Sequence, residues 1–236
     1  MKVHDCEQNT PEWEALRSGI PTASEFDSIL TRGGGRSESR ERYLLTLLAE
    51  RAMGHACQKH KTAWMERGSQ QERRAVSSYE FIRDLDTVPV GFVTNDQETW
   101  GASPDRFVGE NGMLEIKVPS EWIHMGYLLK SGKAYDKYMV QCQGQLLVVT
   151  ERDWTDVLSW HPELPEALIR IERDVKYQPL LDEAVREFSA ELELAWTKYQ
   201  EDHASQGFAK IGPQKSEQEK LIEALKASLI EVQKIN

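Results

Sequence analysis

Two short charged motifs separated by a predicted β-hairpin constrain this chain more than any other feature. Asp105 ends a Ser-Pro-Asp run, and Glu115 follows ten residues later with Lys117 two positions beyond it. Residues 106–113 between them have the pattern of a strand, an Asn-Gly turn and a second strand. Because side chains alternate along a strand, Glu115 and Lys117 share one face, and Ile116 points to the other. The hairpin therefore predicts that Asp105 and Glu115 lie side by side near one end of a small sheet.

This arrangement of charges indicates metal chemistry. Two carboxylates that converge on one point repel each other unless they share a cation or a proton. With a lysine beside them, the pattern favours a hard divalent metal, magnesium above all, and a group that positions water. The bare motif leaves a second interpretation open, an exposed hairpin with ordinary surface charges. The apolar strand before the hairpin and the glutamine-rich helix after it favour the metal site, although those glutamines also fit a polar strip facing solvent.

Length and composition set broad limits. The chain has 236 residues, enough for one large domain or for a domain with an appendage. No run of eighteen apolar residues exists, which excludes a helical membrane span, and the first residues lack an apolar signal region. We therefore expect a cytoplasmic protein. The cysteines are odd in number and widely spaced, so reduced thiols are expected rather than a disulfide framework or a zinc site: Cys6, Cys57 and Cys142.

The charge balance is acidic overall but uneven along the chain. A net charge of −10 argues against a nucleic-acid binder, since contacts to phosphates need lysine and arginine. Basic residues are concentrated between positions 32 and 74, however, and the acidic excess lies largely after residue 150. The distribution is therefore compatible with an acidic exterior around a basic channel.

Periodicity along the chain predicts an α/β fold with a central mixed β-sheet flanked by helices. Thr10 followed by Pro11 is typical of a helix start, and Gly54 of a helix end. The predicted helices cover about 39–53, 62–84, 120–128, 135–149 and 179–199, and the predicted strands 88–93, 100–102, 153–160 and 167–173.

The last part of the chain is predicted to stand apart from the core. We expect a core domain over residues 1–205, followed by a polar linker and a C-terminal amphipathic helix within 206–236. Leu221, Leu225 and Val232 recur at helical spacing in this segment. The helix is either a loosely attached tail or a contact for another copy or a partner protein.

Several motifs in a fixed order resemble one known family. The sequence is similar to the lambda-exonuclease (YqaJ-type) viral recombination nucleases, within the wider P-D-(D/E)-x-K nuclease superfamily. The resemblance spans about residues 5–200. Its motifs are the Trp-, Arg- and Thr-Ala-Ser-containing segment 13–24, the helix motif 67–72, the runs 102–105 and 114–117, the Tyr-x-x-Gln-x-Gln segment 138–143, and the strand 171–177.

The resemblance implies an enzyme, a Mg²⁺-dependent DNA exonuclease that hydrolyses phosphodiesters. Such enzymes act on double-stranded DNA ends in the 5′-to-3′ direction, release mononucleotides and leave a 3′ single-stranded overhang for a single-strand annealing protein. The family also implies a ring-shaped homotrimer that encloses DNA. A phage or prophage protein acting in the cytoplasm of a bacterial host is therefore expected.

The family's catalytic roles map onto matching positions. The resemblance implies that Asp105 and Glu115 hold a catalytic metal together with the backbone carbonyl of Ile116. Glu72 would complete a second Mg²⁺ site with Asp105, and Mn²⁺ is expected to be able to substitute. Lys117 would orient the attacking water and help to deprotonate it. In the same way, Gln143, with Gln141, would hold that water or the scissile phosphate.

A second group of positions is implied to contact DNA. Arg17, Ser24 and Ser103 match residues that grip a 5′-terminal phosphate, and Met65 lies where the family places an apolar wedge. Arg17 is suited to bidentate phosphate binding and Ser24 lies at a predicted helix N-terminus, although an isolated arginine more often forms a surface salt bridge. The glycine-rich loop is either a plain linker or a mobile arm, and whether its arginines reach DNA stays open: Arg32 and Arg36.

Two other functions compete with the exonuclease. A structure- or sequence-specific DNA endonuclease of the same superfamily would need a separate DNA-reading element, and no such element is visible in the sequence. A non-catalytic DNA-end-binding protein would carry the charged motif without using it. The presence of Glu72 together with Asp105, Glu115 and Lys117 speaks against this second alternative.

Overall fold

The computed structural model describes residues 1–57 and 63–203, and the side chains of 63–70 and 131–134 are outside that description. The predicted tail over 206–236 therefore lies outside the described residues, as does the side chain of Met65. In the described part of the chain, no helix combines the length and the apolar character needed to cross a bilayer.

The described chain contains short strands and longer helices, and five of the strands follow one another without a helix between them. The strands are β1 (Lys2–His4), β2 (Thr87–Pro89), β3 (Phe92–Thr94), β4 (Gly101–Ala102), β5 (Arg106–Val108), β6 (Gly112–Lys117), β7 (Trp154–Ser159) and β8 (Ala167–Glu172). The α-helices are α1 (Pro11–Arg17), α2 (Arg40–Met53), α3 (Ala63–Arg83), α4 (Glu121–Lys130), α5 (Met139–Val148) and α6 (Tyr177–His203), and Ala23–Ser28 and Ser131–Tyr138 form 3₁₀ helices.

The larger sheet is mixed, as predicted. Its strand order is β2-β5-β6-β7-β8, in which only the β6–β7 pair is parallel. A smaller antiparallel sheet has the order β1-β3-β4. Glu115 and Lys117 lie on β6 of the five-stranded sheet, and Asp105 directly precedes the neighbouring strand β5, in the segment that follows β4 of the small sheet.

Helices cover both faces of the five-stranded sheet. Alternate side chains of β6 point to opposite faces, and each face packs against a different helix. Leu114 and Ile116 pack with residues of α3 such as Tyr79. On the opposite face, Met113 packs with residues of α5 such as Leu146. The predicted α/β class with a central sheet flanked by helices is confirmed.

The hairpin forms, but its turn differs from the predicted one. Arg106 pairs with Leu114 and Val108 with Gly112, which leaves a three-residue loop over 109–111. The positive φ of 52° lies at Gly109. Gly112 belongs to the strand, where an added Cβ would lie 2.2 Å from the Trp154 ring. The prediction of an Asn-Gly turn was therefore wrong. Gly112 lies in the strand and leaves space for the Trp154 ring.

Two other predicted boundaries also differ from the structure. The single strand over 88–93 is two strands, β2 and β3, which belong to different sheets. The chain crosses between the sheets at Gly91, where a Cβ would lie 2.3 Å from the carbonyl oxygen of Cys6. The single helix over 135–149 is a 3₁₀ helix followed by α5.

The caps of α1 and α2 follow the sequence. The hydroxyl of Thr10 accepts a hydrogen bond from the Trp13 backbone N–H at 3.3 Å, with Pro11 in the first turn. Gly54 ends α2 in the left-handed conformation, with φ of 73°. All three cysteines are free, as expected from their number and spacing.

Helix α3 is hydrogen-bonded to the sheet through a buried carboxylate. Asp156 on β7 is completely buried and accepts a hydrogen bond from the Tyr79 hydroxyl at 2.8 Å. Arg170 on β8 donates two more, at 2.8 and 3.0 Å, which offsets the unfavourable burial of the charge. Since α3 also carries Glu72, this contact helps to fix the helix relative to the end of β6.

Candidate active site

Glu115 lies at the centre of the candidate site. It is only 4% exposed, on the face of β6 that packs against α5. Its Oε1 accepts hydrogen bonds from Lys117 Nζ at 2.5 Å and from Gln141 Nε2 at 2.7 Å. Its Oε2 accepts one from Gln145 Nε2 at 2.5 Å. Burial of a carboxylate is unfavourable without such donors, so these three contacts stabilise the charge and fix the orientation of the group.

Helix α5 supplies two of the donors because of its period. Gln141 and Gln145 are four residues apart, so both project from one face toward Glu115. The helix packs across this face of the sheet with apolar neighbours on either side, including Val140 and Leu146. The carboxylate therefore receives one donor from its own strand and two from the covering helix.

Asp105 lies beside Glu115, as the hairpin predicts. Its Oδ2 accepts a hydrogen bond from the backbone N–H of Ile116 at 2.6 Å. Burial raises the pKa of Asp105 well above its usual range, and the charge of Glu115 raises it further, while Lys117 and the Ile116 N–H oppose these effects. Two carboxylates placed so close favour a cation between them.

Lys117 and Glu72 complete the charged cluster. Burial lowers the pKa of Lys117, but Glu115 and Asp105 outweigh that effect, so the net shift is upward and the ammonium form is favoured. Burial raises the pKa of Glu72; Arg106 opposes the shift and Glu115 adds to it. Glu72 therefore interacts electrostatically with the cluster, and its role at a second metal position stays a prediction.

The oxygen atoms at this position fit a magnesium ion. Asp105 and Glu115 provide carboxylate oxygens, and a strand residue directs its C=O to the same side as its N–H, so the Ile116 carbonyl faces Asp105 as well. Within the described ranges, no set of three or more His, Cys, Asp and Glu side chains gathers closely enough to hold a metal. Magnesium commonly binds through one or two carboxylates, with waters and substrate phosphates completing the shell, so a site with few protein ligands suits it.

Gln143 does not reach this cluster, and its predicted position was wrong. It is fully buried; its Nε2 donates to the Glu172 carbonyl at 2.7 Å, and its Oε1 accepts from the Asp174 N–H at 3.0 Å and Gln178 Nε2 at 2.8 Å. Two residues along a helix turn the side chain by about 200°, so Gln141 and Gln143 cannot face the same way. Gln143 instead fixes the connection between β8 and α6.

Gln145 is the site residue that the sequence reasoning missed. The signal was present, since Gln141 and Gln145 have the four-residue spacing of one helix face. The Gln-x-Gln spacing indicated Gln143 instead, whose side chain faces away from Glu115.

A second group of residues gathers next to the carboxylates. Arg17 Nη1 lies 3.3 Å from Ser103 Oγ, and Arg17 Nη2 lies 3.4 Å from Ser24 Oγ. The guanidinium also lies over the Trp13 ring, 4.0 Å from its centroid, and the indole N–H donates to Ser103 Oγ at 2.9 Å. We call these four residues the phosphate pocket; Trp13 is an addition to the predicted set, which the structure does bring together.

The phosphate pocket borders the carboxylate cluster directly. Ser103 precedes Asp105 by two residues, so their Cα atoms are at most about 7 Å apart. Burial lowers the pKa of Arg17, and Tyr43 and Glu25 oppose the shift. The guanidinium still remains a cation, because arginine keeps its charge in proteins. A partly desolvated guanidinium with two hydroxyls beside it is suited to a phosphate group.

Two of the remaining DNA-contact candidates, Arg32 and Arg36, form contacts outside the phosphate pocket. Arg32 forms an ion pair with Asp136 at 2.5 Å, so it links the glycine-rich loop to the 3₁₀ helix before α5. Arg36 is exposed and pairs with Leu30 in a β-bridge. The Thr31 N–H donates to the Gly35 carbonyl at 2.8 Å, which gives the loop a defined turn. Met65 cannot be placed, since its side chain is outside the description.

The fold and the cluster are those of a P-D-(D/E)-x-K nuclease core: a mixed sheet flanked by helices, with two carboxylates and a lysine at one end of a hairpin. The model of the YqaJ-like viral recombinase domain matches residues 12–153, which is more than half of the chain. The chain belongs to this family.

Solved structures support the same assignment. An alkaline exonuclease (LHK-Exo) from Laribacter hongkongensis is 32% identical, with a TM-score of 0.74, and the match covers 84% of this chain and 100% of that one. The complex of LHK-Exo with dAMP matches equally well. A phage related exonuclease from Haemophilus somnus 129PT, 13% identical with a TM-score of 0.62, covers 76% of this chain and 96% of its own and shares the fold. The comparison with curated proteins gave no match.

Proposed function

We propose that this protein is a Mg²⁺-dependent exonuclease that degrades one strand of duplex DNA from its 5′ end. The products would be mononucleotides and a duplex with a 3′ single-stranded overhang. One observation carries the proposal: the phosphate pocket adjoins the carboxylate cluster, with Ser103 two residues before Asp105. The cluster suits phosphodiester hydrolysis, and the pocket suits a terminal phosphate.

The relatives support the reaction class. LHK-Exo is described as an alkaline exonuclease, and one of its structures is a complex with dAMP. A mononucleotide is the product expected when a strand is shortened one residue at a time. The identity of 32% over most of this chain makes the same activity the natural proposal here.

The residues of the cluster have separate tasks in this proposal. Asp105, Glu115 and the Ile116 carbonyl would hold Mg²⁺, with Glu72 contributing to a second position. Bound there, Mg²⁺ would neutralise charge on the phosphate and activate water. Lys117 donates to the incoming water or to a phosphate oxygen, since an ammonium group is a donor without acceptor capacity.

The phosphate pocket sets the direction of digestion. Arg17, with its two serine hydroxyls, would bind the phosphate of the 5′-terminal nucleotide. The next phosphodiester along the strand then lies at the carboxylate cluster, and its hydrolysis exposes a new 5′ phosphate for the following cycle. Binding energy gained at the pocket thus orients the bond that reacts.

Wider features follow from the family resemblance. A ring-shaped trimer enclosing the duplex would keep an acidic protein on DNA, and a single-strand annealing protein would use the 3′ overhang. We propose that the protein acts in the bacterial cytoplasm as part of a phage or prophage.

The test is digestion of linear duplexes with and without 5′ phosphates, beside covalently closed circles. With Mg²⁺ or Mn²⁺, phosphorylated linear DNA should be degraded fastest and circles left intact, and EDTA should stop the reaction. Equal digestion of circles, or equal rates on the two linear substrates, would refute the proposal. Nicked circles would point to the endonuclease alternative.

A further inference from the structure

The turn between α1 and the first 3₁₀ helix determines how far apart Arg17 and Ser24 lie. Helix α1 ends at Arg17, and Ser18 is already extended. Gly19 then adopts φ of +74°, a left-handed conformation that side chains rarely tolerate, and the chain reaches Ser24 at the start of the 3₁₀ helix. Any change in this turn would alter the spacing between the guanidinium and the serine hydroxyl.

Helix α2 holds Gly19 from both of its backbone groups. The Gly19 N–H donates to Glu50 Oε2 at 3.0 Å, and the Gly19 carbonyl accepts from Arg51 Nε at 2.7 Å. Glu50 is only 8% exposed, and its other oxygen accepts the Cys57 N–H at 3.0 Å. Both oxygens of this buried carboxylate therefore accept hydrogen bonds from backbone N–H groups.

A third side chain of α2 fixes the far end of the same turn. The Tyr43 hydroxyl accepts the Thr22 N–H at 3.0 Å. Thr22 also forms a β-bridge with Gly101, and the Gly101 N–H donates to the Pro21 carbonyl at 3.0 Å. Gly101 begins β4, which leads to Ser103. The turn is therefore connected to the segments that carry Arg17, Ser24 and Ser103.

Helix α2 is in turn fixed to α6. Arg51 Nη2 forms an ion pair with Glu193 at 2.6 Å, and Arg40 forms one with Glu191. The Arg51 guanidinium thus joins α6 on one side and the Gly19 carbonyl on the other. This geometry provides a matched control, because the contact with Glu193 can be removed without touching Gly19.

We propose that Glu50 and Arg51 are positioning residues that set the selectivity for 5′-phosphorylated ends by holding Gly19. The inference rests on the proposed function of the phosphate pocket. Neither residue belongs to the phosphate pocket; they act through the backbone of the turn, which spaces Arg17 from Ser24. Loss of either contact should weaken recognition of the terminal phosphate and leave hydrolysis intact.

The experiment compares the affinity of the whole protein for labelled duplexes that end in a 5′ phosphate or a 5′ hydroxyl. Fluorescence anisotropy in EDTA measures binding without cleavage. Glu50→Gln, Arg51→Met and Gly19→Ala should each reduce the phosphate preference about tenfold, the usual effect of losing one charge-assisted contact. Glu193→Gln should stay within about twofold of wild type, since an exposed ion pair contributes little.

Steady-state rates with Mg²⁺ provide the second readout. The three variants should raise the apparent KM for phosphorylated ends about tenfold and change kcat by less than about twofold, as expected when the lost binding energy is the same in the ground state and the transition state. Thermal unfolding identifies any variant that does not fold; Gly19→Ala and Arg51→Met then decide the matter without Glu50→Gln.

The outcomes separate the two proposals. A wild-type protein without any phosphate preference would refute the phosphate pocket itself. A selective wild type whose folded variants keep their selectivity would overturn the role of Glu50 and Arg51. Equal loss in Glu193→Gln would also overturn it, because the packing of α2 on α6 would then matter rather than the contacts with Gly19.

Discussion

The carboxylate cluster and the phosphate pocket adjoin each other but are built differently. The cluster combines residues of β6 and α5 with Asp105, which precedes β5, and these hydrogen bonds, each to or from a charged group, measure 2.5 to 2.7 Å. The pocket gathers the end of α1, the start of a 3₁₀ helix and the residue after β4. Among the described residues, Arg17 forms hydrogen bonds there to two hydroxyl groups, at 3.3 and 3.4 Å.

This difference indicates separate roles for the two regions. The cluster has strong internal partners, so its geometry is set before substrate arrives, which is what an electrostatic catalyst requires. The guanidinium in the pocket makes long contacts to neutral groups, and a phosphate would be a stronger partner. Substitutions in the cluster should therefore reduce the rate of hydrolysis. Substitutions in the pocket should reduce the preference for 5′-phosphorylated ends.

The largest effect is expected at Asp105. Asp105→Asn keeps an acceptor for the Ile116 N–H but removes the negative charge, so the rate should fall on the order of a thousandfold or more. Single-turnover digestion measures the rate, and binding of 5′-phosphorylated duplex in EDTA should stay within about threefold of wild type. Undiminished digestion would remove the carboxylate cluster from the account.

Gln145 should show an intermediate effect. Gln145→Met removes one of the donors to Glu115, and loss of a residue that orients a metal-binding carboxylate commonly reduces activity about 10- to 100-fold. Gln143→Met is the control on the same helix. It should lower the free energy of unfolding by about 1–3 kcal/mol, because buried backbone partners lose their contacts, with the folded fraction still active. A reversed pattern would contradict the assignment of the two faces of α5.

Arg17 should affect selectivity more than chemistry. Arg17→Lys keeps the charge but loses the planar geometry that reaches both serine hydroxyls, so the preference for 5′-phosphorylated ends should fall about tenfold. Rates on 5′-hydroxyl ends serve as the reference and should change little. A uniform loss on both substrates would place Arg17 in the chemistry instead.

The smallest effect is expected at Tyr79, which belongs to neither region. Tyr79→Phe removes one hydrogen bond to Asp156, which keeps its contacts with Arg170, so the free energy of unfolding should fall by about 1 kcal/mol. Chemical denaturation measures the change, and digestion at saturating DNA should be nearly unaltered. A large loss of activity in the folded variant would show that the contact does more than stabilise α3.

How far the sequence predicts this molecule depends on how local each feature is. Asp105, Glu115 and Lys117 could be placed because one hairpin relates them, and the strand period fixes their faces. The turn was wrong because the role of Gly112 is to make room for Trp154, which is distant in sequence.

Tertiary contacts account for what the sequence did not reveal. The contact between Gly19 and Glu50 joins residues 31 positions apart, and no local pattern marks it. The position of Gln143 could have been predicted from local geometry, since residues two apart on a helix do not share a face and Gln143 cannot face the same way as Gln141. The side chain of Met65 and the segment 206–236 lie outside the description, so those predictions stay predictions.

The most direct test of the central claim is the order in which nucleotides leave one strand. A duplex is labelled differently at the 5′-terminal and 3′-terminal nucleotides of the same 5′-phosphorylated strand, and products are followed in Mg²⁺. The 5′ label should appear first, as a mononucleotide, while the 3′ label stays in long fragments. Release of the 3′ label first, or early internal oligonucleotides, would contradict it.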